Sequence, residues 1–172
     1  AREILPDNAG ILFLLGNTYS ALKRNGEARE TYEKAVKLDP DDYGIRNALG
    51  SAYLSEGRIA EARREYEKAI ELFPTRPYAI CNLGYAYAAE RNWERAIEYY
   101  KQCLQVSPAF FLAYVHMGDA LQQLGHEQEA IRAWEAARMI RRRRHPCPKP
   151  NGASSVSNVR LRIDSGQPIA EQ

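Results

Sequence analysis

Histidine, cysteine and clustered arginine are the residue types of this chain best suited to chemistry, and their spacing decides what they can do. The histidines are His116, His126 and His145. None stands at metal-ligand spacing from a second His or Cys on a helix face, as a zinc site needs. His116 and Asp119 are three apart and share a face. Without a nucleophile, such a pair reads as a hydrogen bond rather than a catalytic dyad. Cys81, Cys103 and Cys147 form an odd set. They are no disulfide framework and fit a reducing compartment. A reactive thiol needs a neighbouring cation to lower its pKa, and Cys81 has none at helical spacing. No glycine-rich phosphate loop is present. These patterns predict no enzyme, no metal and no cofactor.

Arg141, Arg142, Arg143 and Arg144 run into His145. Two readings of this run stay open. It can be a solvated helix end, since helix C-termini favour cations. It can also meet nucleic acid or an anionic membrane surface. Aromatic residues do not interleave with it, so a base-stacking surface is not expected. The overall charge of +2 hides this asymmetry. From Arg138 onward eight Lys+Arg face two Asp+Glu, a net +6, which leaves −4 for residues 1–137.

The elements that must position these residues follow from length and pattern. With 172 residues and 45% hydrophobic content, the chain can bury one sizeable core. Nothing approaches the roughly 18 consecutive apolar residues of a membrane span. Ile11–Leu15 is only a short apolar run inside a periodic helix. No signal peptide is visible, and the cysteine content points to the cytoplasm. Ala1 is not an initiator Met, so a removed leader is also consistent.

Internal similarity appears at a spacing of 34. Gly16, Gly50, Gly84 and Gly118 are 34 apart, as are Ala28, Ala62, Ala96 and Ala130. Leu15, Leu49, Leu83 and Met117 precede the glycines. Tyr32, Tyr66, Tyr100 and Trp134 recur, followed by Ala35, Ala69, Cys103 and Ala137. Pro40, Pro74 and Pro108 close the first three units. Small residues let two helices approach, an aromatic fills the remaining space, and proline stops the second helix. Leu12, Leu15, Tyr19 and Leu22 show the three-and-four spacing of a helix.

This pattern of Leu-Gly, Tyr, Ala, aromatic and Pro over 34 residues resembles the tetratricopeptide repeat family. The resemblance covers residues 9–142. It implies an all-α fold, a right-handed superhelical solenoid of antiparallel helix pairs. Repeats are expected at about 9–42, 43–76, 77–110 and 111–144, within a repeat domain of 9–145. Residues 1–8 read as the end of a preceding partial repeat, because Ala1 and Pro6 fall in register with Ala35 and Pro40. The chain is then a piece of a longer array, or these residues are a vestigial cap. The uncovered face at this end could dock a second copy. Residues 146–172 read as an irregular basic tail, with Val159–Ile163 alternating apolar and basic.

In such arrays the first helix of each unit lines a concave groove. The residues this places there are Asn17, Asn47, Ser51, Tyr78, Asn82, Tyr85, Leu112, His116 and Asp119, with Cys81 and Ser55 beside them. Phe13, Leu14 and Val115 are expected to pack between helices instead. The face is almost uncharged. Amides carry donors and acceptors that can pair with a peptide backbone, and the tyrosines and Leu112 can hold apolar side chains. A protein or peptide partner is therefore expected, held by a scaffold or adaptor. The carboxylate clamp of chaperone-tail receptors is not. The cation places of that clamp carry Phe13, Tyr78 and Asn82, and one of its asparagine places carries Ala48. An alternative is the substrate-recruiting segment of a larger enzyme.

Overall fold

The computed structural model describes residues 8–144. The partial repeat and self-association surface expected at Ala1–Leu5, and the tail expected at 146–172, lie outside the described residues. So does His145.

Among the described residues eight helices follow one another: α1 Ala9–Ala21, α2 Asn25–Leu38, α3 Tyr43–Ser55, α4 Ile59–Leu72, α5 Pro77–Ala89, α6 Trp93–Val106, α7 Phe111–Gln123 and α8 Glu127–Arg144. Local sequence sets their ends. Asn8 and Asp42 accept hydrogen bonds from Ile11 N (3.0 Å) and Ile45 N (2.8 Å), so each satisfies a free amide at a helix start. Pro77 opens α5, where its missing N–H costs nothing. Helices α2, α4 and α6 stop two residues before Pro40, Pro74 and Pro108.

The odd helices end by a single device repeated every 34 residues. Lys23, Gly57, Arg91 and Gly125 all take positive φ, between 60° and 79°. The next amide then reaches back to the carbonyls of Tyr19, Tyr53, Tyr87 and Leu121 at 2.9–3.0 Å. This is the left-handed helix stop that glycine adopts without steric cost. Lys23 and Arg91 adopt it with a side chain.

Each helix packs antiparallel to its predecessor, and the order of contacts gives the curvature. Every helix touches its neighbours in sequence. Besides these, α1 touches α3, α3 touches α5 and α5 touches α7. Among the described residues no such contact joins α2 to α4, α4 to α6 or α6 to α8. The odd helices therefore stand closer together than the even ones. A stack with that inequality bends toward the odd helices, which line its concave side. The architecture is an all-α solenoid of helix pairs.

Between the members of each pair, the aromatic of the second helix lies on the glycine of the first. A Cβ on Gly50 would come within 2.6 Å of the Tyr66 ring, and one on Gly84 within 2.8 Å of Tyr100. Tyr32 covers Gly16 and Trp134 covers Gly118 in the same way. Ala28, Ala62, Ala96 and Ala130 are buried beside them. The units are tied to one another by a second periodic contact. Arg29 pairs with Glu33 at 2.7 Å and with Glu56 of the next unit at 3.0 Å. Arg63 pairs with Glu90 at 3.0 Å and lies over the Tyr87 ring. At the third junction Ile97 and Leu124 occupy the equivalent places and belong to one apolar core.

Two substitutions test these devices by urea unfolding. Gly50→Ala forces the buried Tyr66 ring aside and is expected to cost about 1–3 kcal/mol. Arg91→Gly relieves a left-handed residue and is expected to raise stability by up to about 1 kcal/mol.

Candidate functional site

Helices α3, α5 and α7 lie side by side, so residues spaced by three and four on each form facing rows. Asn47, Ser51, Leu54 and Ser55 make the row on α3. Tyr78, Cys81, Asn82 and Tyr85 make the row on α5, and Leu112 and His116 the row on α7. Between them opens a concave pocket of about 550 Å³, with Tyr66 on its floor and Phe110 on its wall. Tyr78 and Phe110 meet edge to face at 5.1 Å. Tyr85 and His116 meet similarly at 5.3 Å. Tyr78 and Tyr85 are 59% and 46% exposed, and Leu112 is 44% exposed. Among the described residues no Asp, Glu, Lys or Arg side chain lines this pocket.

Of the residues expected in the groove, the structure brings Ser51, Tyr78, Asn82, Tyr85, Leu112 and His116 into this one pocket. Asn47 is tied to it, since Asn82 Nδ2 donates to Asn47 Oδ1 at 3.0 Å. Asn17 lines a neighbouring concavity of about 400 Å³ together with Ser51 and Lys23. Asp119 stands outside the pocket, exposed, 3.9 Å from His116. Leu14, expected to pack between helices, is 64% exposed. It projects from α1 rather than into a pair, whereas Phe13 packs against Tyr32 at 6.1 Å. Three pocket residues were not expected there. Leu54 lies four after Gly50, at a lining place of the repeat. Tyr66 belongs to the core pattern, and Phe110 sits in the turn before α7, where helical periodicity gives no signal.

Part of the polar capacity of the face is used internally. In three of the four units the polar tip of the covering aromatic meets the residue after the glycine. Tyr32 Oη donates to Asn17 Oδ1 at 2.7 Å. Tyr66 Oη and Ser51 Oγ are 3.1 Å apart. Trp134 Nε1 donates to Asp119 Oδ1 at 3.1 Å. In the third unit that residue is Tyr85, and the buried Tyr100 Oη has no hydrogen-bond partner among the described residues. An unmet buried hydroxyl costs about 1–3 kcal/mol.

Burial also sets the titrating groups. Desolvation holds the His116 imidazole below its ordinary range, against a weaker opposing pull from Asp119. Cys81, though on the groove row, is buried. Its hydrogen bond with Cys103 and its burial push the thiol well up, away from the reactive thiolate. Cys103 in turn donates to Pro77 O at 3.3 Å. Arg141, Arg142 and Arg143 are exposed on the last turn of α8, and the backbone of Arg144 ends it. None of these lines the pocket. Among the described residues no three His, Cys, Asp or Glu gather as a metal site, and no helix is long and apolar enough to cross a membrane.

The His116 shift has a checkable sign. Its folded pKa is depressed, so protonation favours the unfolded chain. Stability should fall as pH drops from 7 through the ordinary imidazole range. His116→Gln should flatten that slope in thermal unfolding followed at several pH values.

One family model described as tetratricopeptide repeat matches residues 1–43 and 13–79, and a second such model matches 77–110. No curated protein matches the sequence. Among solved structures, a crystal structure of MamA is similar at 28% identity, covering 81% of each chain with a TM-score of 0.73. The first TPR of Spaghetti (RPAP3), bound to the HSP90 peptide SRMEEVD, is similar at 25% identity. That match covers 73% of this chain and 99% of that one, with a TM-score of 0.66. MamA from Desulfovibrio magneticus RS-1 shares the fold at 19% identity, over 81% of this chain and 78% of that one, with a TM-score of 0.73.

Proposed function

The chain belongs to the tetratricopeptide repeat family, and on that premise we propose that it is a protein-interaction scaffold whose concave face holds a segment of another protein. The observation that carries this reading is the uncharged pocket between α3, α5 and α7. It exposes two tyrosines and a leucine beside amides that still have hydrogen-bonding capacity. Exposed aromatic side chains in a concavity are the usual anchors of protein recognition.

The structure of the RPAP3 repeat domain holds an acidic peptide, SRMEEVD. In this chain the pocket offers such a peptide no cation, and a carboxylate buried without a partner is costly. The segment held here is therefore uncharged where it meets the pocket. This separates the groove from the exposed arginines of α8, which would serve a different, electrostatic contact.

Peptides selected from a display library on the full chain should bind with little salt dependence. Fluorescence anisotropy should show Tyr85→Ala weakening them about tenfold or more, consistent with about 1–2 kcal/mol for one anchor. Asn82→Ala should weaken them less, and Glu98→Ala on the exposed side of α6 should have no effect. Unchanged affinity in both groove variants would remove the site from the concave face. Binding that vanishes with salt and with deletion of Arg141–Arg144 would place it on the basic end.

A further inference from the structure

We propose that the pocket beneath Tyr85 and His116 takes one inserted tyrosine of an uncharged partner segment, and that the hydroxyl of Tyr100 reads its tip. The inference rests on the groove reading above and names what the groove selects.

The four units supply their own comparison. Three of the four covering aromatics find a partner for their polar tip on the residue after the glycine: Asn17, Ser51 or Asp119. Tyr100 alone of the four does not, because Tyr85 stands at that place with its ring turned to the groove. Tyr100 is fully buried. Native proteins leave few such groups unmet, and those that remain call for an explanation. The ring of Tyr100 lies 6.0 Å from that of His116, and its hydroxyl feels Cys81 and Tyr85 electrostatically. Those three residues line the pocket. The unmet hydroxyl therefore lies behind the pocket wall, screened by the half-exposed Tyr85 side chain, and an occupant meets it when that ring turns aside.

The pocket's chemistry narrows the occupant. Its aromatic edges at Tyr78, Phe110 and Tyr85 suit a ring in edge-to-face contact. Its volume of about 550 Å³ is in the range that holds small organic groups, about 300–1,000 Å³. It has no charged side chain to pair with a charged tip. A tyrosine hydroxyl both donates and accepts. It can accept from Tyr100 Oη and donate to the unprotonated nitrogen of His116, which burial keeps neutral. Phenylalanine fills the same space but leaves Tyr100 unmet, and glutamate brings a charge with no partner.

The test joins stability to binding in the full chain. Tyr100→Phe should raise the melting temperature of the free protein, because it removes an unmet hydroxyl. Tyr66→Phe, which loses a made hydrogen bond, should lower it. Peptides selected by display on the wild-type chain should carry a tyrosine within an uncharged stretch. Replacing that tyrosine by phenylalanine should weaken binding by about five- to tenfold. On Tyr100→Phe the difference between the two peptides should shrink to the part that His116 alone supplies. Peptides that compete through Tyr85 but carry no tyrosine, or equal loss on both proteins, would overturn this inference and leave the groove function standing. A lowered melting temperature for Tyr100→Phe would also overturn it. Failure of any peptide to bind would overturn both.

Discussion

The contact of an aromatic ring with a bare glycine backbone governs this structure. At Gly16, Gly50, Gly84 and Gly118 the partner ring lies where any Cβ would stand. Two helices can meet at that distance only if one of them has no side chain there. The ring then bridges the pair, and its far end must come out on the concave side. Helix pairing, core burial and the chemistry of the groove are in this way set by one contact. Ala28, Ala62, Ala96 and Ala130 hold the same spacing from the other helix, each at most 1% exposed.

Because the ring's polar tip reaches the groove, the residue after each glycine has two duties. Asn17 and Ser51 meet the tyrosine hydroxyl beneath them and still face solvent. Asp119 does so for an indole N–H. Tyr85 gives up the first duty and presents a large aromatic surface instead. The third unit thus loses a hydrogen bond that its neighbours make, at the point where the groove becomes most apolar. An unmet buried hydroxyl and an exposed aromatic surface thus arise at a single side chain, the kind of local cost that folds tend to carry where they function.

The 34-residue spacing alone makes the architecture legible. Glycine, aromatic and proline at fixed offsets give the helix pairs, and the structure ends α1 to α7 at Ala21, Leu38, Ser55 and the equivalent residues, while α8, whose unit has Arg142 in the proline place, runs on to Arg144. Six of the expected groove residues share one pocket because helical spacing alone puts them on one face. What the pattern did not show depends on contacts between units. Phe110 enters the pocket from a turn, where no period applies. Asn47 and Asn82 spend part of their capacity on each other across two helices. Leu14 follows the lining period yet stays exposed, because periodicity names a face and not what covers it. The positive φ of Lys23 and Arg91 was hidden for a related reason. Their places carry glycine in the other two units, so only the backbone shows that all four turns are alike.

The ties between units explain why the pocket sits toward the second half of the array. Arg29–Glu56 and Arg63–Glu90 join the first three units by ion pairs that are partly exposed. Such pairs contribute little and yield to solvent. At the last junction Ile97 and Leu124 replace them within the largest core cluster, which runs from Ala62 to Ala133. The first units have two smaller clusters instead. Helices α5 and α7 are therefore backed by one continuous apolar layer, and the side chains standing on them start from a firmer base. A wall that is already ordered loses less freedom when a ligand arrives.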